Sequence, residues 1–393
     1  MKMEQFKRPA SRYFFTNKQS ASNKMPRQIN RYLIFNQIRS RQPISRAELA
    51  RVSGLQGSTV SIIVEELLAD QWIVEGSMGQ PPRGRRPTFL NLNGQRSVLA
   101  LDIHPSQTTL AIIDMGGKII AQNLIALPAN PQKVIPAIID AIQKMIAANR
   151  DRSFQGIGMS LPGRFDHQRG KSIFAPNINW PIERIKTRVE QAIGLSVVVD
   201  NVANACALSE VWFGYSDGIH DLVVVNVSEG IGTGIFANGR ILRGEGDSAG
   251  EFGHVQVDPD GLLCGCGSRG CWETVASNRA GMRYYYELSG QPSPAFEVLL
   301  KMAETGDSVA RQAIDKMCVE LGRGMHMIAS ALAPREIVVV GDITNLWYLV
   351  GPLVEAEMRK NPLARVPKLR PAREGNKARL CSAVALVMNE NQI

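Results

Sequence analysis

Gly250-Glu251-Phe252-Gly253-His254 is followed, ten residues after the histidine, by Cys264-Gly265-Cys266-Gly267-Ser268-Arg269-Gly270-Cys271-Trp272-Glu273. Three thiols in the pattern C-x-C-x4-C, spaced by glycines, can fold around one ion, and His254 supplies a fourth ligand. A Cys3His set of His254, Cys264, Cys266 and Cys271 is a closed tetrahedral site suited to structural Zn²⁺. In a reducing compartment such crowded cysteines point to a metal rather than to disulfides. With every position filled by protein, the ion would hold a loop and hydrolyse nothing. That loop carries Glu251 and Glu273. Two carboxylates beside a histidine suit the recognition of vicinal sugar hydroxyls, because each accepts hydrogen bonds in a fixed direction. By spacing alone, either glutamate could equally be a surface residue. Cys206, Cys318 and Cys381 stand apart in apolar segments and read as core, and the other four histidines receive no role.

Around this loop the pattern is α/β. Val98–Ile103 is a buried-strand run, and Thr109–Asp114 and Lys118–Ala121 flank a Met115-Gly116-Gly117 turn. Ile135, Ile138, Ile142 and Met145 recur at helical spacing within Val134–Ile146. A comparable opening returns at Leu222–Val227 and Gly234–Leu242. The repeat predicts two α/β lobes, 97–212 and 213–393, with the C-terminal end able to return to the first lobe. A cleft between them is a natural place for a small ligand.

The N-terminal quarter differs in charge. Residues 1–96 hold 16 basic and 6 acidic side chains, whereas the rest holds 29 and 30, so the whole net charge of +9 comes from the front. A basic module on a neutral body suggests a polyanion partner for the module. Residues 1–26 read as a flexible arm. Ser45-Arg46-Ala47-Glu48 is a capping box, Ser53-Gly54 ends the short helix it starts, and a second helix covers about Ser58–Ala69. Two short helices across a glycine turn make a helix-turn-helix. A strand at Trp72–Glu75 and a turn over Gly76–Gly84 add a wing, giving a winged helix-turn-helix over 27–82. Arg46, Gln56, Ser58, Thr59 and Ser61 are the candidate contacts of this double-stranded DNA reader. In the basic linker 83–96, Arg83, Arg85 and Arg86 are spaced along an extended Gly/Pro segment that suits a narrow minor groove.

The 393 residues, 44% hydrophobic and 21% charged, exclude a wholly disordered, collagen-like or disulfide-stapled chain. No apolar stretch reaches membrane-spanning length and no signal peptide opens the sequence, so a cytoplasmic protein without membrane contact is expected.

The motifs quoted above closely resemble those of ROK proteins, a family of repressors, uncharacterised reading frames and sugar kinases, over nearly the whole chain from about Arg27. The resemblance is strongest with its N-acetylglucosamine- and xylose-repressor-like regulators. It implies a two-lobed, actin-like sugar-kinase body, with His254 binding both zinc and sugar and with Glu251, Glu273, Asn177 and Asn201 at the sugar. The departures are specific. The family's kinases carry Asp-x-Gly-Gly-Thr-Lys where this chain has Asp102-Ile103-His104-Pro105-Ser106-Gln107, which removes the phosphate turn. Their Asn-Asp-x-Asn motif aligns with Asn201-Val202-Ala203-Asn204, putting valine at the catalytic Asp. Asp200, taken to share a strand face with Val202, is a conceivable substitute base. Val340-Gly341-Asp342 lacks the consecutive glycines of the nucleotide site, although Gly230-Ile231-Gly232-Thr233-Gly234 survives. The expectation is a protein without catalytic residues: a sugar- or sugar-phosphate-responsive regulator of carbohydrate genes, homodimeric or tetrameric on an operator. The alternatives are a working sugar kinase with an added DNA-binding module, and an interaction protein that takes its signal from a transport-system partner.

Overall fold

The structure, a computed structural model, describes residues 24–78, 88–104, 107–166, 171–175, 178, 180–214, 221–360, 365–373 and 375–390. The chain divides into two compact units: residues up to Asp70 with Glu75–Asn91, and Gln71–Val74 with Leu92–Asn391.

The smaller unit begins with α1 (Lys24–Arg41), β1 (Ile44–Ser45), α2 (Arg46–Ser53) and α3 (Gly57–Ala69) and ends on β2 (Ile73–Met78) and β3 (Thr88–Leu92). Ser45 Oγ accepts the Glu48 N–H at 3.3 Å, the expected cap, and the N–H of left-handed Gly54 closes α2 on Ala50 O. Ile34, Phe35 and Ile38 from α1 meet Leu49 and the inner face of α3, Val60, Ile63, Val64 and Leu67, as the core. Two boundaries move. Lys24 already opens α1, so the arm read over 1–26 stops earlier, and its first 23 residues lie outside the described ones. Thr88–Leu92, read as linker, is the central strand of a β1-β3-β2 sheet, because Leu90 buries itself opposite Ile44. Residues 79–87, with Arg83, Arg85 and Arg86 of the expected basic linker, lie outside the described residues.

The larger unit contains two copies of one design. The first runs β4 (Arg96–Ile103), β5 (Gln107–Asp114), β6 (Ile119–Ala126), α4 (Val134–Ala148), β7 (Ser153–Leu161), a ribbon of β8 (Arg164–Asp166) and β9 (Lys171–Phe174), α5 (Ile185–Ile193), β10 (Val197–Asn201) and α6 (Val202–Phe213). The second runs β11 (Leu222–Val227), β12 (Ile231–Ala237), β13 (Arg240–Ile241), α7 (Glu273–Ala276), α8 (Asn278–Ser289), α9 (Phe296–Glu304), α10 (Ser308–Leu332), β14 (Glu336–Val340), α11 (Trp347–Met358) and β15 (Lys368–Pro371). The sheets are ordered β6-β5-β4-β7-β10 and β13-β12-β11-β14-β15, the same arrangement twice: a hairpin meander followed by two parallel strands. Leu99, Leu101 and Ile112 pack on the α4 stripe Ile135, Ile138 and Ile142 in one core, and Val223 and Val225 join Met317, Leu321 and Ile328 of α10 in the other. The last helix, α12 (Ala378–Glu390), returns to the first lobe and packs on β4, β7 and α6. No helix among the described residues is long and apolar enough to cross a membrane.

Candidate functional site

The metal loop is fixed at both ends. Glu251–His254 forms one 3-10 turn laid directly on β12, and a Cβ at Gly253 would stand 2.1 Å from Ile231 O. At the other end Trp272 is fully buried, donates its indole N–H to Glu320 O at 2.9 Å, and fills the notch that Gly324 leaves in α10. Between these anchors, one donor atom each from His254, Cys264, Cys266 and Cys271 lies within 4.8 Å of the others, a set that could hold a metal ion. Cys264 Sγ is 3.5 Å from His254 Nδ1, and Cys266 Sγ is 3.6 Å from Cys271 Sγ. Burial pushes the Cys264 and Cys271 thiols up. Burial acts on Cys266 in the same direction, but the Ser268 backbone N–H and the neighbouring thiols bring it down to about 7.

The loop forms one wall of a cavity of about 540 Å³ between the lobes. His254 turns Nδ1 toward Cys264 and toward Glu273 Oε1 at 3.7 Å, and Nε2 toward Glu251 Oε2 at 3.8 Å. One ring can therefore serve the metal set and the cavity together. Glu273 Oε2 accepts the Ile231 N–H at 3.3 Å, and its other oxygen accepts from the Cys264 thiol at 3.0 Å. Burial raises the Glu251 pKa, against the pull of His254 and Arg164. Glu251, Glu273 and His254 all line the cavity.

Asn201 also lines it, but both ends of its amide are engaged: Oδ1 caps α6 through the Ala203 N–H at 2.8 Å, and Nδ2 donates to Gly163 O. Val202, 4% exposed, is the first residue of α6. The strand thus ends at Asn201, and Asp200 and Val202 do not share a strand face as expected, because the N-cap turns the chain between them. Asp200 is instead buried in a two-point pair with Arg243, at 2.8 and 3.3 Å, which ties the two lobes across the cleft. Asn177 lies outside the described residues.

On the smaller unit, Gln56 and Ser58 are exposed at the start of α3, and Thr59 and Ser61 half-buried. Gln56 makes no side-chain cap bond, whereas Ser61 Oγ donates to Gly57 O at 2.9 Å. Ile62 is 59% exposed beside them. Arg46 differs from the expectation: Glu65 at 2.8 Å and Glu75 at 3.0 Å hold its guanidinium, so it braces α2 against α3 and β2.

The sequence profile of the ROK family matches residues 98–390. The chain belongs to the ROK family. Among its relatives, the xylose repressor of Bacillus subtilis strain 168 is 29% identical over 344 residues, covering 86% of this chain and 88% of that protein. The glucokinase of Streptomyces coelicolor is 35% identical over 260 residues, 60% of this chain and 81% of its own. A crystal structure of a ROK family transcriptional regulator, homologous to the Escherichia coli MLC protein, superposes with a TM-score of 0.76 at 26% identity over 93% of this chain and 98% of that one. The repressor alignments span both units of this chain, and the kinase alignment is confined to a shorter portion.

Sequence reasoning missed one polar cluster of this ROK body. Asp102 Oδ1 accepts from the Arg379 guanidinium at 3.0 and 3.2 Å, and Asp102 Oδ2 lies 3.0 Å from His104 Nε2. His104 Nδ1 faces Glu229 Oε1 of the other lobe at 4.0 Å. Burial alone would lower the His104 pKa, but Asp102 and Glu229 overcome it and hold it at about 9. His104 in turn holds Glu229 at about 2. The four residues come from β4 and the position just after it, the β11–β12 turn and α12, and a separation of 277 positions between Asp102 and Arg379 leaves no local signal to find them by.

Proposed function

We propose that this protein is a sugar-responsive transcriptional repressor without kinase activity. One observation carries the reading: the cavity keeps Glu251, His254 and Glu273 for a sugar but presents Val202 where the family's kinases have their base. Valine accepts no proton, and loss of a general base commonly costs about 10²–10⁴-fold in rate. Asp200 does not replace it, since Arg243 already occupies both carboxylate oxygens. Glu229 adds a carboxylate at the turn where kinases cradle phosphates, and Pro105 lacks a backbone N–H to offer one.

The metal of the loop is zinc in this reading. Tetrahedral edges around zinc with thiolate and imidazole ligands are about 3.5–3.8 Å, and the 3.5 and 3.6 Å separations found here support that fit. Zinc would supply folding energy and no reaction step, because the protein fills all four positions. His254, Cys264, Cys266 and Cys271 then hold Glu251 and Glu273 toward the bound sugar. Reduced thiol ligands and a DNA partner both suit the cytoplasm.

The operator is read by α3, through Gln56, Ser58, Thr59 and Ser61, and by Arg83, Arg85 and Arg86 in the minor groove. Two half-sites require two copies, so the active form is a homodimer or a dimer of dimers. The effector, a sugar or sugar phosphate, prefers a lobe arrangement unsuited to the operator, and the two ligands weaken each other by equal factors. Fluorescence anisotropy on an operator selected by the full-length protein tests this. At least one sugar should weaken DNA affinity fivefold or more, with no sugar-dependent turnover of ATP. A panel of sugars and sugar phosphates without effect on DNA affinity, or ATP turnover in step with a sugar, would refute it.

A further inference from the structure

The outward face of α3 has two features that the packing of the smaller unit does not use. The inner positions Val60, Ile63, Val64 and Leu67 are at most 3% exposed, whereas Ile62, on the opposite side, is 59% exposed. Among the described side chains of α1, α2 and α3, it is the only large apolar one more than half open to solvent. Helical spacing puts Ser58 one turn before it and Glu65 and Glu66 one turn after. An isoleucine there gains nothing from burial, and its β-branch lowers helix propensity, so the helix itself does not call for it.

The second feature is the charge of the helix. Gly57–Ala69 contains no lysine or arginine, although residues 1–96 carry 16 basic side chains against 6 acidic ones. The two acids of α3 are answered from other elements. Arg46 holds Glu65 at 2.8 Å, Arg27 pairs with Glu66, and Arg31 reaches Glu66 at 3.3 Å and Asp70 at 2.6 Å. The cations that draw a polyanion to this unit therefore lie off α3, and α3 meets it with hydroxyls, the Gln56 amide and one aliphatic group.

Such a surface is selective in the major groove. Guanine is most often read by a bidentate arginine or lysine, which this helix lacks, whereas the C5-methyl of thymine is the feature there that an aliphatic side chain recognises. Methyl and isoleucine leave water together. A G·C pair presents polar groups in the same place, and Ile62 would strip them of water without offering a partner.

We propose that Ile62 is a specificity-determining residue, which packs on the methyl group of a thymine in each operator half-site and so favours a T·A pair at that step. The proposal rests on the reading of α3 as the DNA-contacting helix.

The test uses the full-length protein to select sites from random duplexes. Each thymine of the selected half-site is then replaced in turn by uracil, which pairs as thymine does but lacks the methyl group. Fluorescence anisotropy should find at least one thymine whose replacement weakens wild-type binding about three- to fivefold, the worth of one buried methyl. Ile62→Ala, a change at an exposed position, should keep the melting temperature and bind the thymine and uracil duplexes equally at that step. Equal affinity of the wild type for every uracil duplex, or a uracil penalty that persists in Ile62→Ala, overturns the assignment and leaves DNA binding by this unit standing. A variant that binds every duplex as the wild type does but sediments in a different oligomeric state gives the face to contacts between copies, and equally overturns it. Failure to select any duplex over random DNA overturns the DNA reading as well.

Discussion

His104 is a residue whose charge depends strongly on its surroundings. Its pKa of about 9 in the folded chain exceeds the ordinary value near 6.5. A group whose folded pKa is raised contributes stability that is fully present below its unfolded pKa and is lost as pH rises through the folded one. The contribution of His104 is therefore complete below about pH 6.5 and gone above about pH 9, and it is on the order of 2 kcal/mol, since Asp102 and Glu229 share it with Arg379. Chemical denaturation of the wild type should show stability declining across that window, with a shallower decline in His104→Gln. Equal slopes in the two proteins would show that His104 is not the protonated partner. The same residue stands between carboxylates of both lobes, 3.0 Å from Asp102 on β4 of the first and 4.0 Å from Glu229 in the β11–β12 turn of the second.

At the scale of elements, the 251–273 loop is held by packing at its ends, and its four candidate metal donors lie close together. Trp272 in the Gly324 notch fixes Cys271 and Glu273 to α10, and Gly253 fixes His254 to β12. Losing one ligand should therefore disorder the centre and spare the anchors. Cys266→Ser should hold far less zinc than the wild type, by atomic emission after dialysis, and should bind sugar more weakly because Glu251 and Glu273 lose their fixed spacing. Undiminished zinc in that variant would remove Cys266 from the set. The small module is closed by packing: Ser45 and Gly54 cap the two ends of α2, and apolar residues from α1, α2 and α3 are buried together.

For the whole molecule, the division of charge and the division of structure coincide. The unit that contains α1 to α3 is the basic one, and the unit with the cleft is nearly neutral. Affinity for DNA should thus come from the first and be modulated by the second. Replacing Arg83, Arg85 and Arg86 by Ala should flatten the dependence of log K on log salt by about 2–3, as each phosphate-neutralising side chain contributes nearly one to the slope. An unaltered slope, measured by anisotropy between low and moderate salt, would leave the segment a spacer between the units.

Much of this architecture is legible along the chain because its causes are local. The cap at Ser45, the α3 face at Val60, Ile63, Val64 and Leu67, the strand runs of both sheets and the C-x-C-x4-C loop all act over ten residues or fewer. The failures have equally physical reasons. Thr88–Leu92 became a strand because Ile44, 46 positions away, offered Leu90 a buried partner. Arg46 was drawn to Glu65 and Glu75, and Asp200 to Arg243, by charges that only folding brings near. The sequence by itself determined most of the elements and the grouping of His254, Cys264, Cys266 and Cys271 that could hold a metal ion. Tertiary structure alone decided what the cleft contains beyond them: the Asp102–Arg379–His104–Glu229 cluster. Those groups come from strands and helices on both lobes and from a C-terminal helix that returns across the molecule, and Coulomb and hydrogen-bond forces select partners by distance in space, to which order along the chain is blind.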